Sequence, residues 1–211
     1  MAATDNRDFN TMAKTWDEDP LRVKFAHCVA DAVLASVSVS AEMDAVDYGC
    51  GTGLVTLALQ PYVKTIIGLD SSTGMLAVLE SKIRDKELAN VSTLEIDLEN
   101  NAAADLHADL LVSSMTMHHV SDLHRVFTAF NQILKSGGYL AIADLDSDNW
   151  EFHADNTGVV HPGFDRSEFV RLLEKAGFVH AKVTTVMEFQ KEVEGKGIRG
   201  FSIFLAVARK P

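Results

Sequence analysis

The sequence predicts one α/β domain over residues 1–211: a seven-stranded, mostly parallel sheet with helices on both faces and an antiparallel C-terminal strand. Three observations predict it. Short apolar runs alternate with amphipathic helical stretches from residue 45 to residue 176, the pattern of parallel strands joined by crossover helices. The strand candidates end in polar residues, with Asp47, Asp70, Asp97 and Asp144 at four of those ends. Two long runs, 178–189 and 201–209, close the chain around Gly195, Gly197 and Gly200, which is a hairpin signal. At 47% hydrophobic and 23% charged, 211 residues suffice for one sizeable core and are few for two.

Residues 1–18 scatter Phe9, Met12, Ala13 and Trp16 among polar positions, too thinly to seed a core. They read as a lid or as a surface helix pinned by Trp16. Asp19-Pro20 supplies a cap and a first-turn proline for a helix with Phe25, Val29 and Val33 on one face, ending near Ser36. Residues 45–48 form the first strand, a glycine turn follows, and a short helix stops before Pro61. The run 63–70 is the second strand, leading into a helix with Met75, Leu76, Leu79 and Ile83 on its apolar face. Strands follow at 91–96 and 109–114, the latter flat in polarity and so buried on both faces. Ser121 is expected to cap a helix whose apolar face runs from Leu123 to Leu134 and which Lys135-Ser136-Gly137-Gly138 closes. After a buried strand at 139–144, residues 145–164 are polar, histidine-bearing and longer than most connections, the mark of a functional loop. Asp165-Arg166-Ser167-Glu168 has capping-box spacing and opens a helix that Gly177 ends.

Charge and composition remove several function classes. A net charge of −11 and a pI near 5.1 leave no Lys/Arg excess for phosphate contacts, so no nucleic-acid partner is expected. The N-terminal residues lack a charged-then-apolar signal pattern and no apolar run reaches membrane-spanning length, so the expectation is a cytoplasmic protein without a membrane partner. Cys28 and Cys50 fit neither a disulfide framework nor a C-x-x-C metal signature, and read as reduced thiols.

The chemistry centres on Asp47-Tyr48-Gly49-Cys50-Gly51-Thr52-Gly53. The pattern D-x-G-x-G-x-G differs from the dinucleotide spacing G-x-G-x-x-G, and it lacks the Gly-Lys-Ser/Thr ending of a phosphate loop. Asp70, 23 residues after Asp47, stands close to the spacing at which a second-strand carboxylate reaches a ribose. Its other reading is an N-cap for the helix beginning near Ser72.

The heptapeptide resembles the first motif of the class I S-adenosylmethionine-dependent methyltransferases, especially the small-molecule branch that includes the ubiquinone-biosynthesis type. The resemblance implies a Rossmann-like sheet, S-adenosylmethionine as cofactor, S-adenosylhomocysteine as product and a small-molecule acceptor. It implies that Asp47, Gly49, Cys50 and Gly51, with Ser114 alongside, hold the amino-acid end of the cofactor. Asp70 and Ser71 would meet the ribose, and Asp97, Leu98 and Met75 the adenine; a solvated turn is the other reading of Asp97. Gly53 is expected to let the following helix pack close to the strand. Methyl transfer from a sulfonium is an in-line displacement that chiefly needs alignment and water exclusion, so no obligatory nucleophile is expected. His118 and His119 follow the fourth strand as candidate general bases, with a hydrogen-bonding structural role as the other reading. Trp16, Trp150, His153 and His161 are candidate substrate contacts. No metal site is expected, because the histidines lack metal-ligand spacing. Two other classes stay open: a module that binds the cofactor without turnover, and a nucleotide-sugar or nicotinamide enzyme on a similar sheet, of which the glycine spacing disfavours the nicotinamide enzyme.

Overall fold

The structure, a computed structural model, describes residues 8–102 and 105–211; residues 1–7 of the expected lid lie outside them. Its helices are α1 (Phe9–Met12), α2 (Pro20–Ser36), α3 (Leu54–Leu59), α4 (Thr73–Asp85), α5 (Leu123–Ile133) and α6 (Arg166–Lys175). Its strands are β1 (Asp44–Tyr48), β2 (Thr65–Asp70), β3 (Val91–Glu95), β4 (Ala108–Ser114), β5 (Leu134–Leu145), β6 (Val179–Val193) and β7 (Gly197–Arg209). They form one sheet in the order β3-β2-β1-β4-β5-β7-β6. Pairing is parallel from β3 through β5, and β7 is antiparallel to both of its neighbours. The order reverses between β1 and β4, so the connections from those strands diverge at their carboxyl ends and leave a cleft there.

Side chains alternate along the central strands between two cores. Ala45, Leu110, Val112, Ala141 and Ala143 meet Phe25, Val29 and Val33 of α2 and Val55 and Leu59 of α3 on one face. Val46, Tyr48, Leu111, Leu140 and Ile142 meet α5 and α6 on the other, around Phe127, Phe130 and Phe169. The central strands are thus apolar on both sides because helices cover both sides. The Asp19 carboxylate accepts from Leu21 N at 2.9 Å and Pro20 opens α2, as the sequence predicts.

Three boundaries differ from expectation. Asp122, not Ser121, caps α5: its carboxylate accepts from Arg125 N at 2.9 Å, while the backbone N–H groups of Ser121 and Asp122 both donate to Glu99. Leu134 leaves the helix, because its extended backbone lets it pair with Ala108, and β5 then runs through the glycines at 137 and 138. The hairpin turn is only 194–196, so Gly197 and Gly200 lie inside β7. Pairing of β7 with β5 stops at Ile203 opposite Leu145, whereas pairing with β6 continues to Gly197 opposite Val193, so the hairpin overhangs the carboxyl edge of the sheet.

The cap of α6 offers a direct test of local stability. The Asp165 carboxylate accepts from Ser167 N and Glu168 N, both at 2.9 Å. Asp165→Ala is expected to lower the melting temperature by about 2–4 °C, the scale of losing a helix cap in a domain of this size. A calorimetric scan of the two chains checks this.

Candidate active site

The glycine turn sits where β1 ends, and its three glycines all have positive φ, at 69°, 53° and 83° for Gly49, Gly51 and Gly53. They do different work. A Cβ on Gly49 would fall 2.2 Å from the Thr116 hydroxyl, and one on Gly53 would fall 2.3 Å from a Leu79 methyl. Gly53 therefore brings the turn against α4, a correction to the expected close packing of helix and strand. At Gly51 the nearest atom to an added Cβ is the Met75 sulfur at 3.9 Å, so this residue leaves space above the backbone.

Asp70 ties the turn to the end of β2. One carboxylate oxygen accepts from Gly51 N and the other from Ser72 N, each at 2.8 Å. The N-cap of α4 is Ser72, whose hydroxyl accepts from Met75 N at 3.2 Å. Burial pushes the Asp70 carboxyl upward against those two amide hydrogen bonds. Asp47 lies fully buried beneath the turn and accepts the Thr56 hydroxyl of α3 at 2.6 Å. Burial, with the negative charge of Asp70 added, raises it to about 7. Cys50 points into the small cluster with Leu76 and Leu79, and burial pushes its thiol up as well.

The remaining expected cofactor residues take varied places. Ser71 is exposed beside Asp70, and Met75 is buried. Asp97, after β3, turns its carboxylate onto Glu99 N at 2.9 Å and Asn100 Nδ2 at 2.6 Å, while Leu98 is buried in the core on the α5 side. Ser114 ends β4, and its carbonyl accepts the Thr116 hydroxyl at 3.0 Å.

The N-terminal segment covers this edge. Asn10 Oδ1 accepts from Gly74 N at 2.7 Å and from the Ser72 hydroxyl at 2.8 Å. Asp17 accepts the Thr52 hydroxyl at 2.6 Å and pairs with Lys82, which also donates to Thr52 O at 2.7 Å. Trp16 is held by the Arg22 guanidinium over its ring at 3.9 Å and by the edge of Phe9. Residues 8–18 thus lie across the turn and the start of α4, as a lid would.

Three of the four candidate histidines converge beyond β4 and β5. His118 is 1% exposed, and its ring centroid lies 4.2 Å from that of His119 and 5.0 Å from that of His153. Phe9 meets the His119 ring edge-on at 5.3 Å. His118 Nδ1 lies 2.7 Å from Asp144 Oδ1, and His119 Nδ1 donates to Gly158 O at 2.7 Å. His161 is placed apart, donating from Nε2 to Val120 O at 3.0 Å, and Trp150 is 45% exposed. The loop from Leu145 to Phe164 is anchored as well as placed. Val160 N and His161 N both donate to His118 O, and Phe152 packs among Phe25, Phe189 and Phe201, the last two from the overhanging hairpin. Among the described residues no group of three or more His, Cys, Asp and Glu side chains is arranged to hold a metal ion.

Sequence reasoning missed Asn10 and Asp17, and it read Asp144 only as a strand-end acid. Asn10 and Asp17 carry no motif. Asp144 had a signal: β4 and β5 are neighbours, so a residue just past the end of one faces the end of the other.

Residues 46–142 match the family described as methyltransferase domain. The chain is 34% identical over 156 residues to an uncharacterised methyltransferase of Schizosaccharomyces pombe, a match covering 67% of this chain and 55% of that one. The YcgJ protein of Bacillus subtilis superposes with a TM-score of 0.73 at 16% identity, covering 88% of this chain and 99% of its own.

The chain carries a class I S-adenosylmethionine-dependent methyltransferase domain.

A phosphoethanolamine N-methyltransferase of Haemonchus contortus, solved with phosphomonomethylethanolamine and S-adenosylhomocysteine, shares the domain's fold at a TM-score of 0.73 and 15% identity, covering 97% of this chain and 60% of that one. The domain spans about half the length of its S. pombe relative.

The buried acids of the methyltransferase turn give a pH signature. Asp47 binds its proton more tightly folded than unfolded, and Asp70 shifts in the same direction. The stability this contributes is present below the ordinary aspartate pKa and is lost as pH rises through about 7. Asp47→Asn should therefore flatten the fall in melting temperature between pH 5 and pH 8, with its largest relative gain at pH 8. Paired melts of the two chains across that range measure it.

Proposed function

We propose that this chain transfers a methyl group from S-adenosylmethionine to a small-molecule acceptor. The observation that carries the reading is the Asp70 carboxylate drawn against Gly51 at the mouth of the β1 turn. Each carboxylate oxygen already takes one backbone N–H, yet a carboxylate offers about four acceptor positions. Two ribose hydroxyls can thus be received without displacing the amides. Gly51 leaves room for a ligand to approach the backbone, with the Met75 sulfur at the far side of that space, 3.9 Å from where a Cβ would stand.

The electrostatics support a sulfonium nucleoside over a phosphorylated one. Asp47 and Asp70 are both buried at the turn, and the nearby Lys82 is engaged with Asp17 and Thr52 O. Lys82 is thus already committed and poorly placed to hold a phosphate chain. On this reading the backbone at Gly49, Cys50 and Gly51 and the end of β4 at Ser114 receive the amino-acid end, supported from below by Asp47. Asp70 and Ser71 take the ribose, and the Asp97–Leu98 segment borders the base. S-adenosylmethionine supplies an electrophilic methyl group on sulfur. The protein's own residues orient the donor, close over it through Asn10 and Asp17, and exclude water from the displacement. Among the described residues no helix is long and apolar enough to cross a membrane, and both cysteines are free thiols, which supports a cytoplasmic setting.

Calorimetry with S-adenosylmethionine, S-adenosylhomocysteine and NAD tests the reading. Both sulfur nucleosides should bind, and Asp70→Ala should weaken S-adenosylhomocysteine by about 1.5–3 kcal/mol, the scale of hydrogen bonds to a charged partner. Binding of NAD with no response to either sulfur nucleoside would reject it.

A further inference from the structure

The chain carries 19 Lys and Arg against 30 Asp and Glu, so a recess that gathers cations without acids runs against its overall charge. One opens where β5 enters the parallel array, with a volume of about 340 Å³. Lys182 and Arg209 bring positive charge to it, His180 an imidazole, and Ser36, Tyr139 and Thr184 hydroxyl groups. The described residues that line it include no Asp or Glu. Glu42 and Asp109 belong to a neighbouring recess that shares Tyr139 and Arg209, and Asp109 is paired there with Lys135 at 2.8 Å.

Two features give the recess a fixed shape. The Arg209 guanidinium lies over the Tyr139 ring, 4.5 Å from its centroid, and its Nε and Nη2 donate to Gly137 O at 3.2 Å and 2.6 Å. One carbonyl thus orients the planar fork, and the rest of its N–H groups stay available to a ligand. On the facing strand, Val179 pairs with Arg209 and the next pairing is Lys182 with Val207, so β6 carries one residue more than β7 between them. His180 takes this bulge in the left-handed region, at φ 58°, a place usually given to glycine. A residue with a Cβ is strained there. The outcome is that His180, Lys182 and Thr184 all line the one recess.

The donor set favours a phosphate monoester. Its two negative charges match the two permanent cations, and its three terminal oxygens can accept from the guanidinium fork, the ammonium and the hydroxyls together. A carboxylate offers one charge and two oxygens. The recess is large enough for an organic group beside the phosphate, with Val207 as apolar surface. A sulfonium nucleoside is disfavoured here by charge, as a phosphate is disfavoured by the buried acids of the glycine turn. We propose that this recess binds a phosphorylated small molecule, its phosphate held by Lys182 and Arg209, at a site separate from the glycine turn.

Calorimetry on the full chain with phenyl phosphate, inorganic phosphate and phenylacetate tests the proposal. Phenyl phosphate should bind most tightly of the three, and more weakly as salt is raised. Lys182→Gln and Arg209→Gln should each weaken it by about tenfold or more, the scale of losing hydrogen bonds between charged groups. If Arg209→Gln does not fold, Lys182→Gln, at an exposed position, carries the same comparison. Saturating S-adenosylhomocysteine should leave phenyl phosphate bound. Equal affinity for phenylacetate or for inorganic phosphate, binding unchanged by Lys182→Gln, displacement by S-adenosylhomocysteine, or no saturable binding of phenyl phosphate would overturn the proposal. Failure of the chain to bind either sulfur nucleoside would instead reject the methyl-transfer reading, on which this site does not rest.

Discussion

The Asp70 carboxylate, shared between Gly51 N and Ser72 N, is the contact on which the carboxyl edge depends. Three left-handed glycines in five residues form a turn with little conformational preference of its own and a large entropy to lose on folding. Bonding Gly51 to the end of β2 removes that freedom and sets the register of the turn against α4. The cost is a second buried acid near Asp47, and Thr56 meets part of it by donating to Asp47 from α3. The edge is thus held by hydrogen bonds among residues that also carry the local negative charge.

Around this turn, three segments reach the same region from distant parts of the chain. The N-terminal segment docks through Asn10 on α4 and through Asp17 on Thr52 and Lys82. The loop from Leu145 to Phe164 is bound to the His118 carbonyl and to the overhanging β6–β7 hairpin through Phe152 and Lys191. The segment after β4 leans on Gly49 through Thr116. The hairpin overhang therefore has a packing role: without Phe189 and Phe201 beyond the end of β5, Phe152 would lose two of its aromatic partners. The opposite edge of the sheet is unlike this one. The recess lined by Ser36, Tyr139, Lys182 and Arg209 lies where β5 enters the parallel array, remote from the glycine turn.

Hydrophobic period and turn chemistry are local, so the sequence alone determined the α/β class, seven strands, the doubly covered β4, the caps at Asp19 and Asp165, and the glycine turn with its carboxylate 23 residues on. It misplaced the start of α5 because Ser121 and Asp122 are both good caps, and a distant Glu99 decides between them by occupying the N–H groups of both. It misplaced the end of α5 because Leu134 satisfies a helical apolar face and a strand equally well, and only its partner Ala108 in β4 settles which. Pairings that join residues far apart in sequence have no local trace. This is why Asp144 against His118, Asn10 on Gly74 and the meeting of His118 with His153 required the tertiary structure. The glycine turn and its carboxylate are written in one short motif and one spacing; the surroundings of His118 are made where separate segments of the chain converge.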